Sequence, residues 1–412
     1  MSDKLENDYA SFAEIVKSGK APVIMQIVPA INSGGVEQGV IDINKAIVKA
    51  GGVSIVVSSG GKREPEIRKW GGTHIELPVH SKNPFKMFFT ARKLRKAIIN
   101  NNVDVVHPCS RAPAWIAKLA VKGTKAKFVT SCHAAHKIDN SFKRWYNGSV
   151  ISGDLIMAIS YTLADLLKEE YSFDHDKLRI VQRGIVMENY NPGSVIQERV
   201  IKLAKDWRIP EDCHVMILPA RVTRIKGHMF LVDALEKLGR KDIFCAIVGR
   251  TEGNENYVAE LEKYIQDKGM GSQVRMVGTC NDMPAVYMLA NIVTCPSLVP
   301  EGFGRIPIEA MAMGRPFIGT NLGGYLETVV QDKTGWLVDI GDVDAYAEAI
   351  DKAISMTKKE REVFAENAMQ HVKNNFTNDI MCEKTLDVYA EVMQKKTEEL
   401  AVSDNVEQKQ AA

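Results

Sequence analysis

From about residue 22 onward the chain alternates short runs of Val, Ile and other apolar residues with longer segments of helical period, a rhythm that few folds accommodate. The runs VIMQIV, VSIVVSS, HIELPV, VDVVHP, KFVTSC, LIMAIS and LRIVQ form one series. A second series follows, with HVMILPA, DIFCAIVG, QVRMVG, NIVTCPS, RPFIGT and TGWLV. Strands that are apolar throughout belong in a parallel sheet with helices on both faces, because neither side of the strand then meets water. The expectation is an α/β protein of two doubly wound domains. A length of 412 residues agrees, since one hydrophobic core seldom grows beyond about 250–300 residues. The rhythm breaks between Tyr190 and Trp207, where Asn191-Pro192-Gly193 reads as a linker between an N-terminal domain, 1–195, and a C-terminal domain, 196–375. Beyond Phe376, the residues Met381, Leu386, Tyr389 and Met393 recur at helical spacing, so segment 376–396 is expected to pack back on the first domain. The tail, 397–412, has little to bury and is expected to be disordered.

Charge narrows the partners. The 53 basic and 51 acidic side chains nearly cancel, so nothing in the overall balance points to nucleic acid. The first twenty residues lack the apolar core of a signal peptide, and no stretch approaches the ~18 apolar residues of a membrane span, so a cytoplasmic location is expected. Seven cysteines (Cys109, Cys132, Cys213, Cys245, Cys280, Cys295 and Cys382) form no CxxC pair and mostly sit in or beside apolar runs, which suits small buried side chains better than a disulfide framework or zinc site.

Two doubly wound units imply a cleft, and ligands of such folds lie outside the carboxyl ends of the strands. Unusual residues follow the apolar runs here: Gly34-Gly35, His133, Arg183-Gly184, Arg221 and Glu301. In PEGFGRIPIEAMAMGRP, a helix beginning near Arg305 puts Glu309 in its early turns and Glu301 in the preceding loop, so both can face one ligand. Gly302 and Gly304 open the backbone there, and the positive end of the helix attracts phosphate or sugar oxygens. In ARVTRIKGH, Arg221 ends a strand and Lys226-Gly227 open the next helix, two cations that suit a diphosphate. Solvated loop charges are the plainer alternative for either segment alone.

These residues resemble the retaining glycosyltransferases of family four, whose fold is called GT-B and consists of two Rossmann-like domains facing across a cleft. The resemblance spans roughly residues 22–395 and rests on GGVE after the first strand, the Arg-x4-Lys-Gly pattern at Arg221 to Gly227, EGFG-x4-E at Glu301 to Glu309, and GG-x2-E at Gly323 to Glu327. It implies that Arg221 and Lys226 bind the donor diphosphate and that Glu309 hydrogen-bonds the nucleotide ribose. Glu301 and the backbone of Gly302, Phe303 and Gly304 would hold the donor sugar. His133 would contact the donor sugar and stabilise the reacting centre, with Arg221, Lys226 and Glu301 sharing the catalytic role. Arg305 departs from the pattern, standing where many members carry an aliphatic residue. The segment is also similar to bacterial lipopolysaccharide-type sugar transferases, which implies a role in cell-surface glycan synthesis.

Other features keep two readings. Gly34-Gly35 let the chain approach an anionic ligand closely or merely turn, and the loop is not GxGxxG, which counts against a dinucleotide enzyme. His136 competes with His133, and no neighbouring Cys or Asp completes a zinc set. Asp342-Val343-Asp344 spells a DxD motif but precedes a helix, where capping explains it. Segment 83–98 mixes Phe85, Phe88 and Phe89 with five cations, fitting either an anionic membrane at the inner face of the cytoplasmic membrane or an ordinary solvated helix. The functional expectation is sugar transfer from a nucleotide diphosphate sugar, UDP- or GDP-linked, to a glycan or glycolipid acceptor, with no cofactor or metal. A nucleotide-sugar epimerase and a non-catalytic sugar-nucleotide-binding protein are the alternatives.

Overall fold

A computed structural model describes residues 10–32, 34–135 and 138–410, with side chains as far as Gln394. The chain forms two compact units, one from Met1–Gln182 with Asp379–Ala412 and the other from Arg183–Asn378.

In the first unit the strands are β1 (Val23–Ile27), β2 (Val53–Ser58), β3 (Thr73–Glu76), β4 (Val105–Pro108), β5 (Lys127–Cys132), β6 (Leu155–Ala158) and β7 (Leu178–Ile180), each inside an expected apolar run except for Thr73, which precedes one. They pair in the order β3-β2-β1-β4-β5-β6-β7, all parallel, with Ile24 opposite Ser54 on one side and Val105 on the other. The second unit contains β8 (His214–Leu218), β9 (Ile243–Val248), β10 (Val274–Gly278), β11 (Ile292–Cys295), β12 (Phe317–Thr320) and β13 (Gly335–Val338), ordered β10-β9-β8-β11-β12-β13 and again parallel. Every residue of β4 and β9 is buried, as strands covered on both faces require. In each sheet the order reverses beside a central strand, next to β1 and next to β8. The helices that follow must leave these strands on opposite faces, which opens a crevice at the carboxyl ends.

The segment expected as a linker is instead structured. Pro192–Ser194 form a short 3-10 turn and Gln197–Asp206 a helix, which Arg199 ties to the second unit through a 2.8 Å hydrogen bond from its Nε to Asp282. The chain divides after Gln182 and again after Asn378, rather than at 195 and 375. The reason is local: Ile185 donates its N–H to the carbonyl of Phe376 at 2.9 Å and accepts from Asn378 at 2.8 Å, so the entering and leaving strands are clasped together.

The C-terminal helix, Asn378–Gln410, belongs to the first unit. Met381, Cys382, Val388 and Tyr389 are buried there with Ile24, Val105 and Val129, and Arg179 Nε donates to Glu391 at 2.8 Å. Segment 397–412, where disorder is expected, comes next along the chain. It continues as helix to Gln410, since no proline or glycine follows Asn378 to stop it, and Ala411 and Ala412 lie outside the described residues. No helix among the described residues is long and apolar enough to cross a membrane.

Candidate active site

The two segments singled out in the second half meet at the switch point of the second sheet. The loop after β8 carries Arg221, exposed, with a side chain that makes no hydrogen bond or ion pair among the described residues. Arg224–Lys226 make one 3-10 turn, and Gly227 begins the helix His228–Leu238 in the left-handed region, φ +69°. Glycine is required there: a Cβ would stand 1.9 Å from the carbonyl oxygen of Pro296, which ends the neighbouring strand segment. The close approach brings Lys226 to the loop after β11, where its ammonium pairs with the carboxylate of Glu301. The two side chains are only 13% and 22% exposed. Ser297, buried just beyond β11, donates to the same carboxylate oxygen at 2.6 Å.

Glu301 to Gly304 are shaped from below by the second glycine pair. The N–H of Gly324 donates to the carbonyl of Glu301 at 2.9 Å, and a Cβ on Gly324 would lie 2.2 Å from the carbonyl oxygen of Phe303. Phe303 turns its ring into the core, edge-on to Phe376 at 5.8 Å, so only its backbone faces a ligand. Gly304, φ +77°, leads into the helix Arg305–Ala312. Neither this helix nor His228–Leu238 has a side-chain cap, so the N–H groups and positive ends of both remain available to an anion.

Glu309 lies one turn into that helix with its side chain 12% exposed. Arg305 Nη2 stands 3.0 Å from Oε1, and the Tyr287 hydroxyl donates to Oε2 at 2.8 Å. Burial first, then the charge of Glu309, pushes the phenols of Tyr287 and Tyr190 up, so both stay protonated donors at neutral pH. The carboxylate is thus gripped from two sides and retains acceptor capacity for a diol. Glu327 lies half-buried on the short helix Tyr325–Thr328.

The remaining candidates belong to the first unit. Gly34, φ +149°, precedes the helix Gly35–Lys49 after β1, exposed and uncapped. His133 follows β5, half-buried. Its Nε2 is 2.7 Å from Ser131 Oγ, which lies 2.9 Å from His107 Nε2, and His107 Nδ1 lies 2.7 Å from the Tyr389 hydroxyl. His136 lies outside the described residues. Asp342 caps its helix by accepting from Ala345 N–H at 2.9 Å, and Asp344 pairs with Lys237 at 2.7 Å, which accounts for both carboxylates of the DxD spelling. Gly184 is structural, since a Cβ there would meet the Thr377 carbonyl at 2.2 Å.

Sequence reasoning missed Ser297, Tyr287, Ser131 and His107. Ser297 directly follows an apolar run, so the strand-end rule reaches it. Tyr287 sits among apolar residues of a helix and reads as core.

Family comparisons agree with this geometry. Residues 33–189 match the model for glycosyltransferase family 4, and residues 200–371 the model for glycosyl transferases group 1. A glycosyltransferase of Rickettsia africae ESF-5, known from its crystal structure, is 34% identical and superposes with a TM-score of 0.84 over 91% of this chain and 99% of that one. The chain is a family-four glycosyltransferase with the GT-B fold. Two further similar proteins share less of the sequence. The Anabaena protein Alr3699/HepE, crystallised in complex with UDP, shares the fold at 19% identity and a TM-score of 0.74, covering 92% of this chain and 100% of its own. A D-inositol 3-phosphate glycosyltransferase of Salinispora tropica is 28% identical over 74% of this chain and 68% of its own length. Within this glycosyltransferase, Arg305 occupies the position expected to be aliphatic, and it holds Glu309 instead of standing free.

Proposed function

We propose that this glycosyltransferase moves a sugar from a nucleotide diphosphate sugar, UDP- or GDP-linked, to a hydroxyl of a glycan or glycolipid, with retention of anomeric configuration and without a metal ion. The observation that carries the reading is the meeting of Lys226, Glu301 and two uncapped helix N-termini at one switch point. The UDP complex of the Anabaena relative supports a uridine donor.

The transferred bond is the anomeric C–O bond. As it breaks, the electron pair leaves on the diphosphate, and the acceptor oxygen bonds the same face of the sugar while its proton passes to the departing phosphate oxygen. Negative charge therefore grows where Arg221, Lys226 and the helix N-termini can stabilise it. Lys226 is occupied by Glu301 before the donor arrives. On binding, Lys226 exchanges that partner for phosphate, and Glu301 turns its freed oxygens to sugar hydroxyls. Glu309, held ready by Arg305 and Tyr287, accepts from the ribose. His133, oriented by Ser131, is proposed to stabilise the reacting centre. The exposed Phe85, Phe88 and Phe89 of helix Pro84–Asn100 support peripheral contact with the inner face of the cytoplasmic membrane and hence a role in lipopolysaccharide or related cell-surface glycan synthesis.

The test is a panel of UDP-, GDP- and ADP-sugars incubated with the protein and EDTA, following slow release of nucleoside diphosphate to water. Release from one donor class, lost in Glu309→Ala, is expected. Silence across the panel with no thermal shift on adding any donor would sink the reading.

A further inference from the structure

The first unit contains a cavity of about 860 Å³ apart from the donor residues. One wall is a single face of the helix Arg111–Val121, from which Arg111, Trp115 and Leu119 project at intervals of four. The facing wall is the helix Ser141–Asn147, through Phe142, Trp145 and Tyr146. The start of helix Pro84–Asn100 closes a third side with Met87. The rings of Trp115 and Trp145 lie 4.3 Å apart, tilted by 37°, and Phe142 lies 5.8 Å from Trp145.

Two properties define what fits. First, the walls are apolar and yet open: Phe142 is 70% exposed, Trp145 58% and Leu119 49%. The helix that supplies Pro84 and Met87 to the lining also carries the exposed Phe85, Phe88 and Phe89, and large exposed apolar side chains in such numbers mark an interaction face. Second, the polar groups of the lining are cationic or neutral. Lys82, Arg111 and Lys143 line it and, among the described residues, no carboxylate does; Arg111 donates to Asn147 at 2.6 Å and Lys143 pairs with Asp139. A neutral sugar wants carboxylates and free amides for its hydroxyls, and the amide oxygen of Asn147 is already taken by Arg111, whereas an apolar chain ending in a phosphate matches both the aromatic walls and the cations. Tryptophan, with an apolar body and a polar N–H, suits the boundary between the two; the Trp115 N–H donates to the Tyr146 carbonyl at 2.9 Å.

We propose that this cavity takes an acyl chain of an anionic phospholipid drawn from the membrane surface, with the lipid phosphate on Lys82 and Arg111. The inference goes beyond surface contact by segment 83–98 and does not depend on the donor chemistry of the second unit.

The experiment uses the full chain with vesicles of phosphatidylglycerol and phosphatidylcholine whose acyl chains are brominated, read by tryptophan emission and by sedimentation. Bromolipid quenching is expected with wild type and is expected to vanish in the Trp115→Phe/Trp145→Phe variant, which keeps the apolar walls and still sediments with vesicles. Phe142→Ser, at an exposed site that folding does not need, should lower vesicle partitioning about tenfold, the loss of one buried aromatic anchor. Lys82→Gln should weaken binding to the anionic vesicles and leave any residual binding to pure phosphatidylcholine unchanged. Equal quenching in wild type and the double tryptophan variant would overturn the proposal, as would concentration-dependent dimerisation that buries the tryptophans without lipid. Donor turnover, measured in parallel, reports separately on the second unit.

Discussion

Lys226 and Glu301 should respond to charge removal with opposite signs. They form a pair that is largely withdrawn from water, with Ser297 as a further donor to the carboxylate. Two unit charges about 4 Å apart interact by about 4 kcal/mol at an effective dielectric constant of about 20. Desolvation offsets part of that, leaving about 1–2 kcal/mol for a diphosphate to overcome when it takes Lys226 from Glu301. Glu301→Gln keeps the shape and removes both the competitor and a negative charge near the phosphates. It should therefore tighten binding of free UDP by roughly 5- to 30-fold, at about 1.4 kcal/mol per factor of ten. Lys226→Met removes the cation and leaves Glu301 facing the diphosphate, so UDP should bind at least roughly 30-fold more weakly, as truncating one partner of a buried charge pair costs about 2–5 kcal/mol. The preference for UDP-sugar over UDP should shrink in Glu301→Gln, because the lost carboxylate is the sugar's acceptor. Isothermal titration of both variants and the double mutant with UDP and a UDP-sugar measures these terms. Weaker UDP binding by Glu301→Gln would refute the exchange of partners.

Three further outcomes follow from the same site. Gly227→Ala and Gly239→Ala alter the two ends of one helix, both in the left-handed region, φ +69° and +71°, but only the first places a Cβ against backbone, 1.9 Å from Pro296 O, with nothing within 4 Å at the second. By thermal denaturation Gly239→Ala should cost about 1 kcal/mol and Gly227→Ala at least about twice that, together with donor binding. Tyr287→Phe leaves Glu309 Oε2 without its donor and should weaken UDP about tenfold in titration, with a smaller loss for 2′-deoxy-UDP. Burial lowers the His228 imidazole from its ordinary value of 6.5 to about 4, so between those values the unfolded chain binds the extra proton. Stability should then be full above pH 6.5 and fall as the pH drops toward 4, by up to about 3 kcal/mol, and His228→Gln should flatten that slope in melts across the range.

Much of this architecture was legible in the sequence for one reason: a strand buried on both faces is predominantly apolar along its whole length. Twelve of the thirteen strands lie within the runs read from VIMQIV to TGWLV, and β3 begins one residue before its run. The strand-end rule likewise singled out Arg221 and Glu301, and the expected helix starts singled out Lys226 and Glu309. The domain boundary was misplaced because Asn191-Pro192-Gly193 carries the chemistry of a turn, whereas the division at Gln182 depends on hydrogen bonds between Ile185 and residues nearly two hundred positions away. No local pattern records such a pairing.

Sequence alone determined which residues are charged and the order in which strands and helices follow one another. Tertiary structure decided which of those residues touch. Lys226 and Glu301 lie 75 positions apart, and Tyr287 lies 22 from Glu309. They meet because β8 and β11 are neighbours where the strand order reverses, and hydrogen bonding between parallel strands, with its slanted and evenly spaced ladder, sets the register that aligns their carboxyl ends.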